Sequence, residues 1–408
     1  MNGPIKLAVP LLAALAIAAC SSGSNSSVPG MSGTTGTGGG FSSLPGRPLN
    51  HIPQWQAQHL AKPACPQVIG RPTCLALVES KGRFGPDVAG WAPADFQARY
   101  NLPSSSQGAG QVVAIVIWGD DANAVSDLAT YRTNFGLGTA NLTKYNSSGQ
   151  QSSYPPSCQN YGTCVEIMLD VEMVSASCPK CTIYLIEAQD TITDLEKAET
   201  EAVTLGAHIV SNSWICYDDV QCGDSNFASY FNTPGVVYLA ASGDDAYNQN
   251  GAPEALANVV SIGGTIISKS GSNYSETVWP DAGSGCAPGI TKPSWQHDTG
   301  CTSRTDSDVS AVAQFVAEYD SLDGGWFTVA GTSVASPLTA GVFALAGNAS
   351  SLTAAKKFWT LKKKKYKKQL HDITSGMNGS CGGSYLCTGI KGYDGPTGWG
   401  TPNGVKAY

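Results

Sequence analysis

Three stretches of this chain carry side chains with the means to do chemistry. The first is Gly331-Thr332-Ser333-Val334-Ala335-Ser336-Pro337, which runs into the Ala-rich stretch Leu338 to Ala346. A serine that opens a helix has its hydroxyl near the positive end of the helix dipole, and a backbone N–H there can face an oxyanion. Taken alone, the Gly-Thr-Ser tripeptide is an ordinary helix cap. A nucleophilic serine needs a base, and the usual one is histidine. The five histidines are His51, His59, His208, His297 and His371, and His208 enters an apolar strand. The second stretch offers carboxylates instead: Glu166-Ile167-Met168-Leu169-Asp170. Residues i and i+4 share a helix face, and two like charges side by side raise one pKa. The apolar residues between them suggest a helix buried on most sides, whereas on spacing alone the plainer reading is two acids facing water, with Glu172 as a third. The third stretch is Ala241-Ser242-Gly243-Asp244, an aspartate just past a strand end, where a doubly wound sheet presents functional groups. A turn or a helix cap explains Asp244 equally well in isolation.

The elements that must position these residues alternate along the chain. Val112 to Ile117 is a continuous β-branched run, the pattern of a strand buried on both faces. Helices are predicted at Ala122 to Asn134, Val165 to Ala176 and Asp190 to Leu205. Strands are predicted at Thr182 to Ile186, His208 to Ser213, Val236 to Ser242 and Val259 to Ile262. Strands alternating with helices of this length imply an α/β fold with a mostly parallel, doubly wound sheet and helices on both faces. The chain from about Trp91 onward reads as one such domain.

Composition sets the compartment. Of 408 residues 42% are hydrophobic and only 13% charged, which excludes a disordered chain. No apolar run approaches the ~20 residues of a membrane span. Eight lysines between Lys356 and Lys368 mask an acidic body: without them the net charge of −7 becomes −15, which excludes nucleic acid as the expected partner. Lys6 precedes an apolar stretch from Leu7 to Ala19 that suits an export signal. Ile17-Ala18-Ala19-Cys20 resembles a bacterial lipobox, which implies a lipid on Cys20 and a cell-envelope location; an ordinary signal peptide with a chance cysteine is the alternative. Residues 21–49 read as a Ser/Gly-rich tether and 50–90 as a short extension. Twelve cysteines remain in local couples: Cys65/Cys74, Cys158/Cys164, Cys178/Cys181, Cys216/Cys222, Cys286/Cys301 and Cys381/Cys387. In an exported chain they are expected to form disulfides, with zinc on Cys178-Pro179-Lys180-Cys181 as a rival.

The Ser333 segment, with Ala335, Pro337 and its small-residue helix, resembles the nucleophile motif of subtilisin-like peptidases. The histidine context and the Asp-Thr-Gly of subtilisins are missing, since the first strand ends in Trp118-Gly119-Asp120. Taken together, the chain from about Trp91 to Gly404 resembles the sedolisin family of serine-carboxyl peptidases, which share the subtilisin-like fold. The resemblance rests on Pro93-Ala94-Asp95-Phe96, Tyr100-Asn101-Leu102-Pro103, Gln111 to Ile117, Glu166-x-x-Leu169-Asp170 and Ser211-Asn212-Ser213-Trp214. It continues through Ser242-Gly243-Asp244, Arg304, Asp308-Val309-Ser310, Gly331-Thr332-Ser333 to Pro337, Asp372 to Gly376 and Gly392 to Gly400. The resemblance implies that Ser333 is the nucleophile, Glu166 its base and Asp170 the acid that tunes Glu166. It implies that Asp244 replaces the oxyanion-hole asparagine of subtilisins. A carboxyl donates there only when protonated, so peptide hydrolysis in acid is expected, through an acyl-enzyme on Ser333.

The C-terminal motifs resemble the family's calcium loop, which implies one structural Ca2+ held by Asp372 and Asp394 side chains and by the carbonyls of Ile373, Ile390 and Gly392. A Gly-rich turn region without an ion is the alternative. Two features depart from the family. Its members carry a long propeptide, whereas only residues 21 to about 90 precede the match here, so inhibition before activation has no evident source. The basic segment Leu361 to Lys368 is also unusual; it reads as a solvated face or, with Phe358, Trp359 and Tyr366, as a dock for an anionic envelope surface. The expected protein is a monomeric peptidase acting on polypeptides. A catalytically dead binding protein of the same fold and a neutral-pH subtilisin are the competing expectations.

Overall fold

The structure, a computed structural model, describes residues 58, 60–68, 71–79, 88–216, 226–352 and 354–408. The expected leader at 1–20 with Cys20, the tether at 21–49, His51, His59 and Cys222 lie outside the described residues. The first elements are β1 (Ala61–Pro63), β2 (Thr73–Cys74), β3 (Leu77–Glu79), α1 (Pro93–Arg99), β4 (Val112–Trp118), α2 (Ala124–Phe135) and β5 (Leu142–Asn146). Then come α3 (Cys164–Ser177), β6 (Thr182–Ala188), α4 (Ile192–Thr204), β7 (Ile209–Asn212), β8 (Trp214–Ile215), β9 (Val237–Ala241), β10 (Val259–Ser270) and β11 (Asn273–Val278). The rest used below are β12 (Gly285–Thr291), β13 (Ser303–Asp306), β14 (Val309–Val312), β15 (Val316–Asp320), β16 (Gly325–Ala330) and α5 (Thr332–Ala346).

The main sheet has the order β11-β10-β9-β7-β4-β6-β5, with β14 also paired to β10. Every pair from β5 to β10 is parallel, as is β10 with β14; only β11 runs antiparallel. This is the doubly wound, mostly parallel sheet expected. Its central strand β4 is buried from Val113 to Trp118, which is why that segment reads as an unbroken β-branched run. Predicted helices shift by a residue or two at their ends, where caps decide. Thr191 Oγ1 accepts the Asp194 N–H to start α4, and Gly136 ends α2 in the left-handed conformation.

A second sheet, β1-β3-β16-β15, is antiparallel throughout and is not foreshadowed by the alternating pattern. It places β3 against β16, the strand that leads toward Ser333, with β1 on the far side of β3. Two helices cross behind the site, α3 and α5. A Cβ on Gly341 of α5 would lie 1.9 Å from Ser177 Oγ of α3, so glycine there lets the two helices approach closely. Arg304 and Asp308 form a buried pair at 2.6 Å, and Asp308 Oδ2 also accepts the Ser261 N–H, tying β13 and β14 to β10.

Five of the expected cysteine couples are disulfides: Cys65–Cys74, Cys158–Cys164, Cys178–Cys181, Cys286–Cys301 and Cys381–Cys387. The Cys178–Cys181 bond removes the zinc alternative for that pair. Cys216 is also disulfide-bonded.

Candidate active site

Ser333 sits in the first turn of α5, which opens after Gly331 at φ +131°, a conformation that favours glycine. Pro337 has no N–H to return to the Ser333 carbonyl, so the helix is loosened at this serine. Ser333 Oγ donates a 2.9 Å hydrogen bond to Glu166 Oε2, across 167 residues of sequence. No histidine takes that place among the described residues. His208 Nδ1 pairs with the Gly235 carbonyl, His371 Nε2 with the Arg99 carbonyl, and His297 is exposed.

Glu166 lies near the start of α3, and every residue of that helix is buried. The reading of Glu166 and Asp170 as acids facing water is therefore wrong. It fails because α3 is covered on all sides by α5, α2, β15 and the main sheet. Even Glu172 is enclosed, with one oxygen accepting the Tyr319 N–H at 3.2 Å. Burial, with the Asp170 carboxyl beside it, holds the Glu166 pKa well above its usual value. Burial likewise raises Asp170, against a 2.6 Å hydrogen bond donated by Ser213 Oγ to its Oδ1. Donors converge on Glu166 Oε2, from Ser333 Oγ and from the Leu75 and Ala76 amides at 2.9 and 2.6 Å. Glu166 Oε1 and Asp170 Oδ2 accept none. The negative charge of the pair thus belongs on the oxygen beside Ser333, and its proton on one of the two oxygens that accept no hydrogen bond.

Asp244 follows β9 through Ser242 and Gly243, at the carboxyl end of the strand. Its Oδ1 accepts from both the Thr332 N–H and Thr332 Oγ1, each at 2.8 Å, which locks it against the start of α5. Burial raises its pKa well above the ordinary carboxyl value, with the Asp245 and Glu166 charges adding to the rise. A neutral Asp244 is a hydrogen-bond donor. The structure therefore brings all four sequence-singled residues to one place.

Sequence reasoning did not single out three contributors. Ser213 lay inside a quoted motif, and its place just past β7 was the available signal. Thr332, next to the serine, is the residue that orients Asp244. The Leu75 and Ala76 amides carried no signal, because a backbone N–H has no sequence signature.

At the C-terminal loop, the Gly392 N–H donates to both Asp372 oxygens at 3.1 and 3.3 Å, and the Ile390 N–H donates to Asp394 Oδ2 at 3.1 Å. Asp394 Oδ1 accepts from the Thr397 N–H and hydroxyl. Burial, with a smaller push from Asp372, lifts Asp394 to about 8. Among the described residues, no group of three or more His, Cys, Asp or Glu side chains gathers as a metal site.

A model of the subtilase family matches residues 138–369. Kumamolisin from Bacillus sp. (strain MN-32) is 28% identical over 353 residues, covering 78% of this chain and 62% of that protein. Sedolisin from Pseudomonas sp. (strain 101) is 26% identical over 360 residues, covering 76% and 60%. The chain thus spans about three-fifths of the length of these relatives. A solved structure of Pseudomonas sedolisin, a serine-carboxyl proteinase complexed with two molecules of pseudo-iodotyrostatin, superposes with a TM-score of 0.67 at 25% identity, covering 78% of this chain and 96% of that one.

Proposed function

The chain belongs to the subtilase family, with sedolisins as its relatives, and from that premise we propose that it is a serine-carboxyl peptidase that hydrolyses polypeptides in acid. The observation that carries this reading is the 2.9 Å bond from Ser333 Oγ to a buried carboxylate rather than to a histidine. Ser333 attacks the peptide carbonyl carbon and its proton passes to Glu166. Asp170 keeps the second proton of the acid pair and so leaves Glu166 Oε2 free to accept. Asp244, held by Thr332 and kept neutral by burial, donates to the tetrahedral oxyanion. Glu166 then returns its proton to the leaving amine, and water releases the acyl group from Ser333. Activity falls as pH rises, because an ionised Asp244 would repel the oxyanion it serves.

The same reading includes a calcium ion at the C-terminal loop. Asp372 and Asp394 both reach the turn at residues 390–392, and Asp394 is destabilised there by burial and by its neighbour's charge. Two carboxylates with backbone carbonyls of Ile373, Ile390 and Gly392 make an all-oxygen donor set that fits calcium. The ion would supply positive charge that fixes the loop and takes no part in the chemistry at Ser333. Export, a lipid on Cys20 and action as a monomer complete the proposal, supported by the leader and lipobox pattern of the sequence.

The test is a pH–rate profile on a protein substrate, with a serine-reactive covalent probe. Hydrolysis that peaks in acid, with labelling lost in Ser333→Ala, is the expected outcome. A folded chain that neither labels nor hydrolyses would mark a binding protein, and a maximum above neutrality an ordinary subtilisin.

A further inference from the structure

The lysine-rich segment 356–368 takes no part in the chemistry at Ser333, and the fold sorts its side chains into two sets. The segment forms two short helices, α6 (Ala354–Trp359) and α7 (Lys363–Gln369). Its first aromatic residues face inward and so do not meet an outside surface. Phe358 packs on Phe343 and Tyr408, and Trp359 lies 4.3 Å from Tyr393 between ring centres. Trp359 Nε1 also donates to Asp308 Oδ1 at 2.8 Å. Lys357 turns inward too, and its Nζ donates to the Tyr408 carbonyl. Lys356, Lys362, Lys365, Lys367 and Lys368 stay exposed. Among the described residues none of these five forms an ion pair. No Asp or Glu occurs anywhere between Asp323 and Asp372. A solvated helix face ordinarily sets acids three or four residues from its lysines, and here there are none to set.

Between α7 and the turn at residues 390–393 lies a cavity of about 520 Å³. Leu361, Tyr366, Tyr393 and Trp399 make its apolar wall, and Lys367 and Lys391 line it with them. Tyr366 is buried and lies 5.4 Å from Trp399, which lies 5.7 Å from Tyr393, so the aromatic wall is continuous. Lys391 comes from a separate turn of the chain and is exposed. Like Lys367 it forms no ion pair among the described residues. The acids of the neighbouring turns, Asp372 and Asp394, spend their oxygens on the N–H groups of Gly392, Ile390 and Thr397 rather than on either lysine. Two unpaired cations beside an aromatic wall suit an amphiphile, with its anionic head at the ammonium groups and its hydrocarbon on the rings.

We propose that this face docks the protein on a bilayer of anionic phospholipid. A lipid phosphate sits at Lys367 and Lys391, and the first carbons of that lipid lie on Leu361 and the aromatic wall. Lys362, Lys365 and Lys368 meet the neighbouring headgroups. The charge of the whole chain favours this orientation. Without its eight lysines the net charge of −7 becomes −15, so an anionic surface repels the rest of the body and draws this segment toward it. An acidic polypeptide would satisfy the lysines but leave the apolar wall without a partner, and that favours the lipid. Docking uses no residue of the site at Ser333, so it stands or falls apart from the peptidase reading.

The test is sedimentation of the purified full-length chain with two kinds of vesicle at neutral pH and about 0.1 M salt. One is phosphatidylcholine alone; the other is phosphatidylcholine with about one-third phosphatidylglycerol. A lipid on Cys20 would bind both alike. The expected result is binding to the anionic vesicles about tenfold tighter or more, with the difference lost at about 1 M salt, where exposed charges are screened. Lys367→Glu with Lys391→Glu should weaken anionic binding by about 10²- to 10³-fold. Lys62→Glu with Lys180→Glu, the same charge change on exposed lysines elsewhere, should weaken it by less than about threefold. The wild-type comparison of two vesicles and two salts stands even if a variant fails to fold. Equal binding to both vesicles overturns the proposal, as does anionic binding that survives the Lys367 and Lys391 reversals in a folded chain. Polyglutamate that binds at these lysines while the vesicles do not would overturn it in favour of an acidic polypeptide.

Discussion

Two pairs of acids in this molecule are handled in opposite ways. Glu166 and Asp170 come from one helix, buried on every side, and each keeps an oxygen without a hydrogen-bond donor. Asp372 and Asp394 come from two turns, and backbone N–H groups of Gly392, Ile390 and Thr397 occupy their oxygens. The first pair leaves one oxygen of each acid bare, a place for a retained proton. The second has a donor on every oxygen, yet burial still lifts Asp394 to about 8, so a cation there would hold its charge. Burial alone does not make an acid chemically active; what decides is whether its surroundings replace the water it lost.

The sharpest way to break this contrast is Glu166→Gln. The amide is nearly the same shape but carries no exchangeable negative charge, so kcat is expected to fall by about 10⁴ or more, with folding intact. Asp394→Asn in the other pair should leave kcat near wild type. Comparable losses in the two variants would erase the distinction.

A smaller effect sharpens it. Asp244→Asn gives a permanent donor to the oxyanion, and peak turnover should drop by no more than about 10² to 10³, the scale of one such donor. The alkaline limb of the pH–rate profile should flatten, because the group whose ionisation closes the site is gone. An unchanged limb would assign that proton to the Glu166 and Asp170 pair instead.

The smallest effects are on stability. Chelating calcium should lower Tm by roughly 3–6 °C, from about 2 kcal/mol of lost ligand binding, and Asp394→Asn should make the chelator ineffective. Beyond this, burial raises Asp121 to about 6, Glu79 to about 7, and Asp306 and Asp320 to about 8. Folded pKa values above unfolded ones mean that the folded state binds extra protons between roughly pH 4 and 8. Their stabilisation is therefore complete in acid and lost as pH rises through the folded values. Calorimetry should show Tm falling from pH 5 to pH 9; a rise would contradict the assignment of these groups as buried neutral acids.

The parallel sheet was legible because buried strands such as Val113 to Ile117 announce themselves by an unbroken apolar run. Ser333, Glu166, Asp170 and Asp244 were legible as types at strand and helix ends, and the structure gathers them; their roles await the variants above. What surrounded the acids was legible only in part. The apolar residues between Glu166 and Asp170 suggest a helix buried on most sides, but that the acids themselves are enclosed is decided by α5, α2, β15 and the main sheet packing on α3. The second sheet escaped for a different reason. β1 and β3 are three residues each, too short for periodicity, and β3 pairs with a strand about 250 residues further along. Its effect on Glu166 passes through backbone amides, which every residue carries.

The distance in sequence between Ser333 and Glu166 also sets a clock on biosynthesis. Chains are made from the N-terminus, and their parts fold in roughly that order. By the time residue 166 has emerged, the strand at 73–79 and the acid are both present, but the nucleophile is still 167 residues from being synthesised. A chain stopped between Ser213 and Ser333 carries Glu166, Asp170, Ser213 and the strand at 73–79, but not the serine to which Glu166 is hydrogen-bonded. Under the proposed function, cutting power arrives only with α5, after the strand at 73–79 has already been made.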